Sequence, residues 1–155
     1  MKSKIPIPAP ALSPAQPDVF RMHFSSSPRG ARLARLLAVQ HLADLGVPHT
    51  SRSSRAVAAV VAEFAANAIS HGRTPGRNFE VRVDLTPDTI RIEVTDTRPD
   101  RFPRTPADGG IPEPPSPYAT SGRGLLLVSA TADRWDWFVR DNCAKTVWAE
   151  LSLHP

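Results

Sequence analysis

An alternating pattern of apolar and polar residues predicts a β-hairpin near the middle of the chain. The apolar members are Phe79, Val81, Val83 and Leu85 in one segment and Ile90, Ile92 and Val94 in the next. Strict alternation is typical of a strand with one buried face. Thr86, Pro87 and Asp88 lie between the two segments, and these residue types favour a tight turn.

Helical spacing of apolar residues predicts two helices before the hairpin. Ser27 and Pro28 begin the first, because a serine oxygen caps free N–H groups and proline fits a first turn. Gly46 ends it, and the second helix spans residues 51–70. The apolar stripe of the first helix consists of Leu33, Leu36 and Leu37. Another face carries Arg29, Arg32 and Arg35, which we interpret as a solvated face.

Three more strands and a third helix complete the predicted order. Residues 19–25 alternate well enough for a first strand, and residues 124–132 show a short apolar pattern typical of a helix. Residues 135–140 and 145–153 suit two closing strands. This order favours an α+β two-layer sandwich, in which the helices cover one face of a mostly antiparallel sheet.

Two proline-rich stretches lie outside these predicted elements. Residues 1–17 contain five prolines and no periodicity, which predicts a disordered tail. Residues 97–121 contain seven prolines and the pair Gly109 and Gly110. A loop of this length within a compact domain is usually functional or disordered. We therefore expect a single domain over residues 18–155 that contains one long loop.

The overall composition narrows the class of protein. The single cysteine, Cys143, permits no intrachain disulfide, and no long uncharged apolar run predicts a membrane span, so we expect a cytoplasmic protein. The net charge of +4 would suit an anionic partner. However, 16 arginines against 3 lysines is a bias typical of a GC-rich genome. Because no basic stripe is interleaved with stacking aromatics, we expect no direct nucleic-acid binding.

Polar residues interrupt the second predicted helix at regular spacing. Glu63 and Asn67 are four residues apart, so they share one helix face. One interpretation is the exposed stripe of an amphipathic helix. The other is chemical: an amide oxygen suits Mg²⁺, and a carboxylate can accept a proton from a hydroxyl. His71 lies one turn further on, where it suits either a bond to the helix end or a contact with a phosphate.

Two further candidates lie on either side of the long loop. Asp96 follows the strand at residues 90–94, where a carboxylate can accept a hydrogen bond from the amine of adenine or simply end the strand in a turn. Gly122 and Gly124 open the third helix on either side of Arg123. Glycines let the backbone approach an anion closely, and a helix N-terminus favours phosphate. Alone, such a glycine pair is a weak signal.

Together, these residues and their order resemble the GHKL superfamily of ATPases and kinases. The shared pattern is a glutamate, an asparagine and a His-Gly pair on one helix, an aspartate after a strand, a long loop, and Gly-x-Gly before a helix. The resemblance covers about residues 20–153. The segment Glu-Phe-Ala-Ala-Asn-Ala-Ile-Ser-His-Gly at residues 63–72 is similar to that of the anti-sigma-factor serine kinases.

The resemblance implies the Bergerat fold, a left-handed crossover α/β sandwich, with ATP bound under a lid at residues 97–121. It also implies a role for each matching residue. Asn67 would bind Mg²⁺, Asp96 would read adenine, and Glu63 would act as the general base. Gly122 and Gly124 would shape the hinge of the lid near the phosphates.

One position departs from the pattern of the family. A glycine usually stands two residues after the aspartate, where adenine packs against the backbone, and Arg98 occupies that position here. An arginine at this position either stacks on the adenine ring or narrows the pocket. Arg123, between the two glycines, is a further candidate because its charge would neutralise phosphate.

The function implied by the resemblance is an anti-sigma-factor-type serine/threonine protein kinase. Such a protein binds ATP and Mg²⁺, phosphorylates a small antagonist (anti-anti-sigma) protein, and sequesters a sigma factor. The resemblance also makes a homodimer plausible. The alternative is a regulatory module that binds nucleotide or a protein partner without catalysis, and Arg98 is the residue that favours it.

Overall fold

The structure, a computed structural model, describes residues 18–71, 78–97, 123–141 and 144–153. In chain order, the elements of this part of the chain are β1 (Asp18–Ser25), α1 (Pro28–Asp44), α2 (Arg52–His71), β2 (Asn78–Leu85), β3 (Thr89–Asp96), α3 (Arg123–Thr131), β4 (Arg134–Asp141) and β5 (Ala144–Ser152). The predicted tail at 1–17 lies outside the described residues. So does the predicted lid at 97–121, except for Thr97.

The five strands form one sheet in the order β1-β2-β3-β5-β4, and every neighbouring pair is antiparallel. The helices share one side of it: α1 packs on β1 and β2, α2 on β2, β3 and β5, and α3 on β4. The predicted α+β two-layer sandwich with helices on one face of the sheet is therefore confirmed. We call the helix-facing side of the sheet the inner face and the other side the open face.

The central hairpin forms as the alternating pattern predicts. Leu85 lies opposite Ile90, and the backbone N–H of Thr86 donates to the carbonyl of Thr89 over 2.9 Å. The Thr86 hydroxyl also accepts from the Thr89 N–H at 3.0 Å. The apolar residues of both strands point to the inner face, while the intervening polar residues lie on the open face.

One apolar core lies between the helices and the inner face. Its largest fully buried side chains are Phe64, Phe79, Leu42, Ile90, Ile92, Val57, Val60, Val61, Val81, Val83 and Val128. Helix α2 contributes four of these, so it is the central helix of the layer, with α1 on one side and α3 on the other. No helix in the described part of the chain is both long and apolar enough to cross a lipid bilayer.

Helix α1 begins and ends at the predicted residues. The apolar stripe singled out in the sequence, however, does not face the core. The Ser27 hydroxyl accepts from the N–H of Gly30 at 3.1 Å, and Gly46 follows the helix with φ at +90°. The buried residues of the helix are Gly30, Ala34, Ala38 and Leu42, whereas Leu33, Leu36 and Leu37 are exposed.

Close packing explains which face of α1 is buried. A Cβ added at Gly30 would lie 1.9 Å from the carbonyl oxygen of Ser25, so only glycine fits where the helix meets the end of β1. The small residues Ala34 and Ala38 continue that face along the helix. The three arginines Arg29, Arg32 and Arg35 are exposed, as predicted.

Candidate functional site

Helix α2 carries the two polar candidates at the boundary between its buried and exposed surfaces. Glu63 and Asn67 are both half-buried, whereas the neighbouring Phe64 and Ala68 are buried in the core. The buried side chains fix the rotation of the helix on the sheet, and that rotation sets the direction of Glu63 and Asn67. A spacing of four residues places their Cβ atoms about 5–6 Å apart. The two side chains therefore share one partly open edge of the helix.

Asp96 ends β3 on the inner face of the sheet. It continues the alternation of Ile90, Ile92 and Val94, and it is only 7% exposed. A turn aspartate that merely ends a strand is normally solvated, whereas this carboxylate points into the layer where α2 packs on β3. The alternative of a solvated surface turn therefore does not describe Asp96, and its role as an acceptor for adenine stays a prediction.

Lys145 lies directly opposite Asp96 in the antiparallel pairing of β3 and β5. Its ammonium Nζ is 3.6 Å from Oδ2 of Asp96, and the lysine is 4% exposed. Opposite residues of an antiparallel pair point to the same side of the sheet, so Lys145 also belongs to the inner face. An acceptor and a cationic donor thus stand side by side at the end of the core.

The next pair along the same two strands faces the other way. The hydroxyls of Thr95 and Thr146 are 2.7 Å apart, and Thr146 is 1% exposed. This contact links β3 to β5 on the open face, immediately behind Asp96 and Lys145. It stiffens the strand ends that hold the two charged side chains.

Helix α3 completes the inner layer beside α2. It begins at Arg123, close to the predicted start at Gly124, and Val128 anchors it in the core. The indole Nε1 of Trp135 donates to the Ser129 hydroxyl at 2.7 Å, which ties the helix to β4. Because α3 packs on α2, its first turn belongs to the same layer as Glu63 and Asn67.

Several predicted site residues are only partly described. Arg98 and Gly122 lie outside the described residues. Arg123 and Gly124 are described as the first residues of α3, and His71 as the last residue of α2, without their side chains. The structure thus describes the positions of Glu63, Asn67, Asp96 and the start of α3, while the role predicted for every site residue stays a prediction.

Bound metal ions are commonly held by clusters of acidic, histidine or cysteine side chains. In residues 18–71, 78–97, 123–141 and 144–153, no group of three or more His, Cys, Asp or Glu side chains gathers in a way that would hold a metal ion. Mg²⁺ commonly uses one or two protein oxygens together with waters and substrate phosphates. The half-buried amide of Asn67 fits that mode and does not require a preformed cage of ligands.

Sequence reasoning did not identify Lys145. A signal was nevertheless present, because Lys145 alternates in phase with Val147, Ala149 and Leu151, which are apolar and point inward. A lysine in the inward phase of a strand is unusual. Its partner could not be named without the register of β3 against β5, which are separated by more than forty residues of sequence.

Comparison with known proteins gives a family match and a structural match. The family model of the histidine kinase-like ATPase domain matches residues 24–150. A search of curated proteins gave no match. Among solved structures, the chain is similar to the crystal structure of the RsbU and RsbW domains of Rv1364c from Mycobacterium tuberculosis, with a TM-score of 0.62 and 16% sequence identity. The match covers 89% of this chain and 33% of that one, and at this identity it shows the fold alone.

Proposed function

The chain belongs to the histidine kinase-like ATPase domain family, and we propose that it is an ATP-dependent serine/threonine protein kinase of the anti-sigma-factor type. In this proposal it transfers the γ-phosphoryl group of ATP to a small antagonist protein and sequesters a sigma factor. A family of ATPase domains implies a site for ATP, and the proposal adds the acceptor and the partners.

The observation that supports the proposal most directly is the buried carboxylate of Asp96 on the inner face. It stands at the end of β3, under the helix that carries Glu63 and Asn67. A buried carboxylate beside Lys145 favours a ligand that donates to it over one that presents a carbonyl, because a mismatched buried polar group costs about 1–3 kcal/mol. The exocyclic amine of adenine is such a donor.

The proposed chemistry assigns one role to each of the two polar residues of α2. The hydroxyl oxygen of the acceptor serine or threonine attacks the γ-phosphorus, the bond to the β–γ bridging oxygen breaks, and ADP leaves. Glu63 accepts the hydroxyl proton as the new bond forms. Phosphoryl transfer requires positioning and charge neutralisation more than covalent chemistry, so a small site is sufficient.

Asn67 is the residue that would hold Mg²⁺ in this site. When bound, the ion would neutralise charge on the phosphates. Asn67 contributes a neutral oxygen, so the affinity for the ion depends largely on the nucleotide itself. Arg123, at the start of α3, and His71, at the end of α2, are proposed as further phosphate contacts.

The division of labour between Glu63 and Asn67 can be tested with two variants. Glu63→Ala should keep ATP affinity and lower the rate of phosphoryl transfer by about 10² to 10⁴ fold, because a general base acts only as the proton leaves. Asn67→Ala should lower both the rate and the Mg²⁺-dependent part of the affinity. The measurement combines calorimetric titration with single-turnover transfer from γ-labelled ATP to a candidate antagonist protein.

Arg55→Gln provides a matched control, because Arg55 is exposed near the opposite end of the same helix. It should change neither affinity nor rate. An unchanged rate in Glu63→Ala would leave that residue as part of a polar stripe. If the unmodified protein binds ATP but phosphorylates no antagonist, the binding module without catalysis replaces the kinase.

A further inference from the structure

We propose that Lys145 is a second base-reading residue, which donates a hydrogen bond to the N1 nitrogen of adenine while Asp96 accepts from the exocyclic amine. The inference rests on the proposed ATP site and adds a specificity-determining residue to it. It starts from the one buried pair of opposite charges that the described residues place on the inner face, between Nζ of Lys145 and Oδ2 of Asp96 at 3.6 Å.

Burying the ammonium group of Lys145 costs free energy, which a functional contact of that group would explain. The residue stands at 4% exposure in a strand phase that otherwise carries apolar side chains. Replacing a buried ion pair by apolar residues of similar volume is often neutral or stabilising, so such a pair is weak evidence of a role in stability. A pair at the end of the core, beside the helix that carries Glu63 and Asn67, is better explained by recognition of a ligand.

The pair also has the right chemistry for one edge of adenine. On that edge the exocyclic amine donates and the adjacent N1 accepts, so a ligand-facing carboxylate beside an ammonium matches it group for group. The two protein groups come from directly opposed residues of β3 and β5. Their separation of 3.6 Å lets both reach neighbouring atoms of a single ring.

The backbone holds this pair in a fixed orientation. Thr95 and Thr146, the next residues along each strand, are joined through their hydroxyls at 2.7 Å on the opposite side of the sheet. The strand ends therefore cannot separate easily when a ligand binds beside Lys145 and Asp96. Lysine has a compact ammonium with three donors, so it can keep one bond to Asp96 and direct another to the base.

The test compares ATP with 1-deaza-ATP, in which a C–H group replaces N1 and the exocyclic amine is kept. The unmodified protein should bind ATP about tenfold or more tightly than 1-deaza-ATP, because the analogue leaves a buried donor unpaired. Lys145→Met keeps most of the unbranched side chain and removes the donor, so the ratio of the two affinities should fall to about one.

Glu150→Gln is the matched control, since it alters the open face of the same strand at a distance from the pair and should keep the tenfold ratio. If the unmodified protein binds ATP and 1-deaza-ATP equally well, the inference is overturned. This outcome requires no variant, so the inference can be tested even if the Lys145→Met protein does not fold. A ratio that persists in Lys145→Met also overturns it, because another group then reads N1. Absence of ATP binding by the unmodified protein would instead reject the proposed function itself.

Discussion

The two faces of the sheet use charged residues in opposite ways. On the inner face, β3 and β5 are apolar up to their last pair, where Asp96 and Lys145 stand buried beside α2. On the open face, charged residues occur along all five strands and pair with one another across them.

The charged side chains of the open face form ion pairs with one another. Arg91 contacts Glu93 and Glu150, each at 2.8 Å, and its guanidinium lies 4.2 Å from the ring centre of Trp148. These side chains keep part of their surface in solvent. Partly exposed pairs of this kind keep the open face polar, and solvent screening limits what each contributes to stability to about 1 kcal/mol.

The contrast teaches how to recognise the candidate site. A count of charges on the described strands would direct attention to the open face, because it carries more charged residues than the inner face. Burial among apolar side chains directs attention to the inner face, where Asp96 and Lys145 lie. Glu80 on the open face is equally buried, but it is surrounded by Arg21, His23 and Arg140. The difference predicts that mutations on the inner face affect folding or nucleotide binding strongly, whereas those on the open face are tolerated.

The largest expected effect is a difference in the free energy of unfolding between substitutions of a buried and an exposed phenylalanine. Phe64 is 2% exposed in the core above the inner face, and Phe138 is 41% exposed on the open face of β4. Phe64→Ala should lower the free energy of unfolding by about 3–5 kcal/mol through lost burial and the cavity left behind. Phe138→Ala should cost about 1 kcal/mol or less. Urea unfolding measures both, and similar losses would show that the open face is also a core.

The smallest expected effect concerns an ion pair of the open face. Burial raises the pKa of the Glu150 carboxyl, but hydrogen bonds from Arg134 and Arg91 outweigh it and leave the pKa below its ordinary value of 4.5. A carboxyl with a lowered pKa in the folded state stabilises the protein above the unfolded pKa, and the contribution disappears as the pH falls through the folded pKa.

Glu150→Gln should therefore lower the free energy of unfolding by about 1 kcal/mol or less at pH 7, since Arg134 is largely exposed. The difference between the unmodified protein and the variant should shrink below pH 4.5, where the carboxyl becomes protonated. Urea unfolding from pH 7 to pH 3 gives the comparison. A difference that grows toward low pH would contradict the direction of this pKa shift.

Much of the inner face was predictable from local pattern. The alternation that ends at Val94 predicts the buried side of β3, and extending it by two residues also predicts that Asp96 points inward. Ser27 and Gly46 mark the ends of α1 because capping and a left-handed turn are local requirements. These features depend on neighbours within a few residues.

Features that depend on distant contacts were not predictable in the same way. The three exposed leucines of α1 outnumber its buried leucine, and only the close approach of Gly30 to Ser25 shows which face is covered. Likewise, Lys145 acquires its partner only when β5 inserts between β3 and β4. Register across such a separation is set by the whole core and not by the strands themselves.

The most direct test of the central claim, that the inner end of β3 binds adenine, is a calorimetric titration with ATP and GTP in the presence of Mg²⁺. The proteins are the unmodified chain, Asp96→Ala, and Glu93→Ala as a control from the open face of the same strand. The unmodified chain should bind ATP at least tenfold more tightly than GTP, because the carboxylate accepts from the adenine amine and repels the guanine carbonyl. Asp96→Ala should lose this preference, and Glu93→Ala should keep it. Equal affinities for the two nucleotides in the unmodified chain, or a preference that survives in Asp96→Ala, would contradict the claim.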